Sequence, residues 1–219
     1  MRAIIIIPAF NPPSQFYKLL NRINYIYDIP IIVIDDGSNI SININNHTIQ
    51  KLITNKINEG KGAALLQGFK YAKAKGFTHA ITMDADFQHD PNLIPLFLAY
   101  DEKITIVSGK RTFDRTMPFH RRLSNIITTN IISFICKQKV LDSQCGYRRY
   151  ILGDVLDGTY VENGFQFESE VLIKLLRKGN TISHIDIPTI YNNANSAIKN
   201  IQDTFKFIRL IIRNILNIL

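Results

Sequence analysis

Thiol chemistry is nearly absent from this chain: two cysteines, Cys136 and Cys145, serve 219 residues. Two thiols are too few for a disulfide framework, and no Cys/His cluster has the spacing of a zinc site. A reduced, cytoplasmic setting fits that usage. Long apolar runs are missing too. No stretch reaches the roughly 18–20 apolar residues that a membrane-spanning helix requires. The apolar run at the N-terminus stops at Pro8 without the small-residue cleavage site of a signal peptide. There is no internal repeat, no low-complexity tract and no linker. Acidic residues are the minority charge, 18 Asp and Glu against 26 Lys and Arg, for a formal net charge of +8. The excess points to an anionic partner such as phosphates or a membrane surface. Nucleic acid is a poor fit. The positive charge concentrates in residues 110–149, with nine Lys/Arg against two Asp, and that region lacks interleaved stacking aromatics.

What is present reads as an α/β protein. Hydrophobic residues make up 46% and charged residues 20%, ordinary values for a globular chain long enough for one domain or a domain with a small appendage. Residues 3–7 are an unbroken apolar run of the kind buried on both faces of a sheet. A helix with Phe16, Leu19, Leu20 and Ile23 on one face follows. A second buried strand spans residues 29–34, and a short third lies within 50–57. A helix opens at Asn58-Glu59-Gly60-Lys61-Gly62, and a fourth strand covers 78–83. This alternation predicts a mostly parallel sheet with right-handed crossovers and helices on both faces, with ligands bound beyond the carboxyl ends of the strands. Further on, the pattern predicts a strand at 104–108, a helix at 121–134, a turn into an extended segment at 142–149, a helix at 165–178 and a strand at 181–190. The tail carries an apolar stripe of Ile201, Phe205, Ile208, Ile212, Ile215 and Leu219, with Lys199, Lys206, Arg209 and Arg213 around it. Such a helix suits the plane of a membrane surface, and it suits packing on the domain almost as well. The expected division is a catalytic domain over 1–195 and a C-terminal amphipathic helix over 196–219.

Three polar clusters fall at strand ends: Pro8-Ala9-Phe10-Asn11, Asp35-Asp36-Gly37-Ser38 and Asp84-Ala85-Asp86-Phe87-Gln88-His89. Two carboxylates two residues apart at a strand end point the same way, and a divalent cation is their natural partner. Asp35 and Asp36 suit a nucleobase edge or ribose hydroxyls, and equally an Asx-type turn. Lys61 and the backbone N–H groups around it could meet an anion at a helix start. That segment is neither a P-loop nor a dinucleotide fingerprint.

These clusters, followed in order by Gly109-Lys110-Arg111, Asp142-Ser143-Gln144-Cys145-Gly146-Tyr147-Arg148 and Phe167-x-x-Glu170, resemble the inverting family-2 glycosyltransferases of the glycosyltransferase A fold. The likeness spans roughly residues 3–191 and is greatest to the branch containing dolichyl-phosphate mannose synthase and other polyprenyl-phosphate glycosyltransferases. It implies a three-layer, Rossmann-like catalytic domain that moves a sugar from a GDP- or UDP-sugar to a lipid-phosphate or glycan acceptor. It implies nucleotide binding by Pro8, Ala9, Asn11, Asp35, Asp36, Lys61 and Asp84. It implies Mg²⁺ or Mn²⁺ on Asp84 and Asp86, with Gln88 as a further ligand, and an acceptor phosphate facing Arg111, Arg121, Arg122 and Ser124. Asp86, Arg111 and Glu170 are the expected catalytic residues, Glu170 as base for a hydroxyl acceptor; Glu168 reads as an exposed helical carboxylate. Losing Arg111 is expected to slow turnover without changing the melting temperature. A nucleotidyltransferase would begin with a Gly-rich, Arg-containing loop, which Pro8-Ala9-Phe10-Asn11 is not. A non-catalytic nucleotide-sugar-binding homologue is the other alternative, and the intact Asp84/Asp86 pair argues against it. The resemblance and the missing spanning segments place the chain in the cytoplasm, peripheral on the inner face of the plasma membrane if the tail binds lipid.

Overall fold

The computed structural model describes residues 1–44, 49–112, 119–190 and 200–216, and leaves out the side chains of 119–121, 200, 201, 215 and 216. The apolar runs become strands β1 (Ala3–Ala9), β2 (Ile31–Asp35), β3 (Ile49–Thr54), β4 (His79–Thr82), β5 (Ile106–Arg111), β6 (Arg148–Ile151) and β7 (Ile182–Ile187). They form one sheet in the order β3-β2-β1-β4-β6-β5-β7. All pairings are parallel except those of β6, which runs antiparallel to β4 on one side and to β5 on the other. The period of two in the central strands divides their isoleucines between two cores. Ile5, Ile7, Ile31 and Val33 meet α1 (Gln15–Ile26) and α3 (Ile94–Ala99) through Phe16, Leu19 and Phe97. Ile4, Ile6, Ile32 and Ile34 meet α2 (Lys61–Ala74), α5 (Leu152–Leu156) and α6 (Gln166–Arg177) through Leu65, Phe69, Val155 and Val171. The three-layer arrangement expected from the sequence is the one observed.

α6 is buried along nearly its whole length, because α4 (Phe119–Cys136) and α7 (Asn200–Leu216) pack on its outer side. α7 therefore shares the domain core: Leu210 is fully buried, and Phe207 and Ile211 pack beside it. The boundary expected at 195/196 lies outside the described residues. Of the expected apolar stripe, Phe205, Ile208 and Ile212 stand on the exposed side of α7 at 69%, 46% and 51% exposure. Ile201, Ile215 and Leu219 are outside the described side chains. A helix narrow enough to be read as one stripe in fact carries two apolar faces, one on α6 and one on solvent.

β6 also corrects the reading of the basic region. Arg148 and Arg149 are fully buried and point to opposite layers, as neighbours on a strand must. Arg148 donates to the Tyr150 hydroxyl and to the carbonyls of Glu168 and Ser143. Arg149 donates to the carbonyls of Phe97, Tyr100, Asp101 and Ile104, just past the end of α3, where carbonyls lack helical partners. Two of the nine cations counted there serve the fold and present no charge to a partner.

Candidate active site

The first three strands of the parallel half deliver their loops to one edge. Asn11, with a left-handed φ of 45°, closes on the β2 loop: its N–H donates to Ser38 Oγ, and its Oδ1 accepts from the Asn39 N–H, both at 2.9 Å. Pro8 and Ala9 form the buried end of β1 beneath it. Asp35 and Asp36 are 1% and 3% exposed. Asp35 accepts the Ser38 N–H at 2.9 Å, an Asx-type turn. Asp36 accepts from Asn55 Nδ2 and from the N–H groups of Glu59 and Gly60 at 3.0, 3.0 and 2.8 Å, and so fastens the start of α2 to the end of β2. Gly37 is required where this loop is tightest: φ is +75°, and a Cβ would lie 2.5 Å from the Ile57 carbonyl carbon. The structure thus gives both aspartates partners in the chain itself.

The end of β4 is built differently. Thr82 Oγ1 donates to the Gly146 carbonyl at 2.7 Å and binds the strand end to the segment that enters β6. Asp84 follows, its Oδ1 2.7 Å from Lys61 Nζ. Lys61 also reaches Glu168 Oε2 at 2.9 Å. His89 Nδ1 accepts the Asp84 N–H at 3.1 Å, which leaves the proton on Nε2, a nitrogen 3.7 Å from Asp84 Oδ2. Burial holds His89 neutral, with its pKa lowered to about 4. Burial alone would raise the Asp84 carboxyl, but the Lys61 ammonium reverses this and brings it down to about 2. Asp86 is pushed the other way, first by burial and then by the charge of Asp84, against the bond from the Gln88 N–H and the charge of Lys61. The turn between them places Phe87 at φ 61°, a strained conformation for an aromatic residue that brings Gln88 back beside Asp86.

This donor set fits a divalent cation. Two carboxylates are held together against their repulsion, and a cation between them relieves it. Among the described residues no three His, Cys, Asp or Glu side chains form a metal cage. Mg²⁺ takes one or two carboxylates and completes its shell with water and phosphate oxygens.

Arg111 ends β5 on the same side, close enough that its charge bears on Asp84 and His89. Its guanidinium grips Asp142 with two bonds, Nε to Oδ2 at 2.8 Å and Nη2 to Oδ1 at 3.0 Å. Asp142 is fully buried and also accepts from Asn125 Nδ2 of α4 and from the N–H groups of Gln144 and Cys145. Here the sequence expectation needs correcting. Arg111→Ala would strip a buried carboxylate of its cation, which costs about 3–5 kcal/mol, so its melting temperature must fall along with its turnover. Arg122 and Ser124 are exposed on the first turns of α4, and Asn125 is the residue of that turn that faces Asp142. The Arg121 side chain is outside the described residues.

The two α6 carboxylates are both buried, and their surroundings differ from those expected. Glu170 is fully buried, accepting from the Val161 and Glu162 N–H groups and pairing with Lys174 and Arg213. It fixes the 160–162 loop and α7 and is not placed to act as a base. Glu168, read as exposed, is buried beside Lys61 and Asp84. The two lie two residues apart on a helix, so they cannot share a face. A helix buried on all sides gave no apolar period by which to tell which carboxylate looked into the crevice. His89 stands in the motif read from the sequence, but its contact with Asp84 was not foreseen there.

Known proteins bear on this geometry. The model of the family described as glycosyl transferase family 2 matches residues 4–156. An uncharacterised protein of Methanocaldococcus jannaschii, MJ0544, is 31% identical over 192 residues, 80% of this chain and 82% of that one. The UDP-N-acetylglucosamine–dolichyl-phosphate N-acetylglucosaminyltransferase of Methanococcus voltae is 29% identical over 88% of this chain and 87% of its own length. Among solved structures, glucosyl-3-phosphoglycerate synthase of Mycobacterium tuberculosis with UDP superimposes with a TM-score of 0.74 at 15% identity, covering 97% of this chain and 79% of that one. The same enzyme with Mn²⁺, UDP and phosphoglyceric acid gives 0.72, also at 15%, over 99% and 78%. At that identity the likeness concerns the fold, which is the glycosyltransferase A arrangement.

Proposed function

As the chain belongs to glycosyl transferase family 2, we infer that it moves a sugar, with inversion, from a GDP- or UDP-sugar to an acceptor that carries its own phosphate, such as a polyprenyl phosphate. The observation that carries this reading is the pairing of roles at the sheet edge: Asp84 and Asp86 at one strand end, Arg111 at another. Asp84 and Asp86, with Gln88, would hold Mg²⁺ or Mn²⁺; the cation, when bound, would stabilise the charge that develops on the leaving diphosphate. Arg111, held rigid by Asp142, adds a fixed positive charge where no reorganisation is needed. Asn11, Asp35 and Ser38 border the space for the nucleoside, with Pro8 and Ala9 as its floor.

The acceptor class is favoured by what the carboxylates do. A hydroxyl acceptor needs a general base. Glu170 is committed to α7 and Glu168 to Lys61. A phosphate monoester is anionic near neutral pH and needs no base. The Methanococcus voltae relative agrees in kind, naming dolichyl phosphate. Among the described residues no helix is long and apolar enough to cross a membrane. The exposed face of α7, with Phe205, Ile208 and Ile212 beside exposed Lys206 and Arg209, would rest on a bilayer surface, and Leu123, Ile126, Ile127 and Phe134 of α4 expose a similar face.

The test is an acceptor screen with labelled sugar nucleotides and a lipid extract, followed by liposome flotation. A lipid-soluble labelled product that requires Mn²⁺ or Mg²⁺ supports the reading. Product with free phosphorylated acceptors only, or flotation unchanged by replacing Phe205, Ile208 and Ile212 with serine, would remove the lipid and the membrane from it. Truncation before α7 is a poor test, because it uncovers the core around Leu210.

A further inference from the structure

A lysine that stands against a metal-binding aspartate poses a problem of charge. Lys61 sits 2.7 Å from Asp84 Oδ1 with its side chain only 16% exposed. Paired with Asp84 alone, the ammonium would neutralise the carboxylate and repel an incoming divalent cation, strongly so where water screens little. Glu168 Oε2 lies 2.9 Å from the same ammonium. The three groups come from α2, the end of β4 and α6, and they meet over Gly146. A Cβ there would lie 2.9 Å from Glu168 Oε1, 3.0 Å from Lys61 Nζ and 3.2 Å from Asp84 Oδ1. Only the missing side chain lets the triad close. Glu168 Oε1 is buried and has no hydrogen-bond partner. An unsatisfied carboxylate oxygen is costly, so packing and hydrogen bonding do not explain why a charged residue stands at this position.

We propose that Glu168 is a positioning residue that acts through Lys61: its charge offsets the ammonium, so that the Asp84 carboxylate can attract a divalent cation while Lys61 remains beside the diphosphate. This rests on the metal reading given above. Glu168 touches neither metal nor substrate in this scheme. It sets how strongly the Lys61 charge opposes the cation, and Gly146 supplies the room.

The experiment measures Mn²⁺ binding by the electron paramagnetic resonance signal of the free ion, with and without UDP, and UDP binding in EDTA by calorimetry. Glu168→Gln keeps the shape and removes the charge. Its Mn²⁺ affinity should fall by ~10-fold or more, with UDP binding in EDTA unchanged or tighter, because an unbalanced cation repels metal and attracts diphosphate. Lys61→Met should shift both the other way, and the double variant should recover Mn²⁺ affinity to within ~3-fold of the unsubstituted protein, as for two groups that act as one unit. A merely structural salt bridge would lower both affinities together and would give no recovery. Unchanged Mn²⁺ affinity in Glu168→Gln, or a double variant as weak as that single one, overturns the proposal. If Glu168→Gln does not fold, weakened Mn²⁺ binding in Lys61→Met overturns it alone. Absence of Mn²⁺ binding in the unsubstituted protein removes the metal reading itself, and this inference with it.

Discussion

The ends of β2 and β4 each carry two aspartates, and the fold treats them in opposite ways. At β2 the carboxylates accept hydrogen bonds from the chain: Asp35 from Ser38, and Asp36 from Asn55, Glu59 and Gly60. At β4 Asp84 takes a lysine, while Asp86 accepts the Gln88 N–H and, through burial and the charge of Asp84, is harder to ionise than an ordinary aspartate. The difference is one of spacing. Adjacent residues at a strand end point apart, so Asp35 and Asp36 can each find donors. Asp84 and Asp86 lie in the turn after β4 with one residue between them, near enough that the charge of Asp84 raises the Asp86 carboxyl. The first pair fastens the β2 loop and the start of α2, and the second is the pair proposed to act in the crevice.

The largest effect should come from breaking the first pair. Asp36→Ala orphans three donors and frees the start of α2, and it should lower stability by about 3–5 kcal/mol, as for a buried partner removed. Urea unfolding measures it; a loss below about 1 kcal/mol would mean that water satisfies those donors. Breaking the second pair should do the reverse. Asp86→Asn removes a repulsion, so the urea midpoint should hold or rise, while Mn²⁺-dependent UDP binding falls by ~10²-fold. Calorimetry with Mn²⁺ and with EDTA separates the two effects, and equal UDP affinity in both media would contradict the assigned role.

Much of this contrast was legible in the sequence. Apolar runs and turn residues located the first four strands and both aspartate pairs, because strands buried on both faces leave unbroken hydrophobic signals. The fate of each carboxylate was not legible. Asn55, Lys61 and Glu168 lie far from their partners in sequence, and pairings of that kind exist only once the sheet has assembled. The same limit hid Asp142 behind Arg111 and mistook Glu170 for Glu168.

A milder substitution sharpens the comparison between holding and acting. Arg111→Lys keeps a cation near Asp142 and gives up the two-pronged grip. Turnover should fall by ~10-fold and stability by about 1 kcal/mol, since lysine cannot reproduce a planar fork. Full activity with intact stability would show that charge alone suffices there. The smallest effect is a pH dependence. His184 Nε2 accepts the Leu141 N–H, and burial, with Arg148 adding to it, lowers its pKa to about 4. The unfolded chain binds this proton near pH 6.5. Stability is therefore full above that value and is lost as pH falls toward about 4. For a partly buried group the loss should be about 1 kcal/mol. Urea midpoints at neutral and acidic pH, compared between the unsubstituted protein and His184→Gln, should converge on acidification; parallel curves would exclude His184 as the source.

The antiparallel strand at the centre of the sheet has a consequence for how the protein is made. β4 and β5 never pair with each other, and only β6 joins them. A chain leaving the ribosome completes the β3-β2-β1-β4 half from its first 82 residues. Its β4 edge then waits for Arg148, 66 residues beyond Thr82, before it is covered. During that interval an unpaired, apolar edge is open to any other strand, the usual route to misassembly in nascent chains. Nascent chains stalled before β6 should therefore require a chaperone, and those stalled beyond it should not.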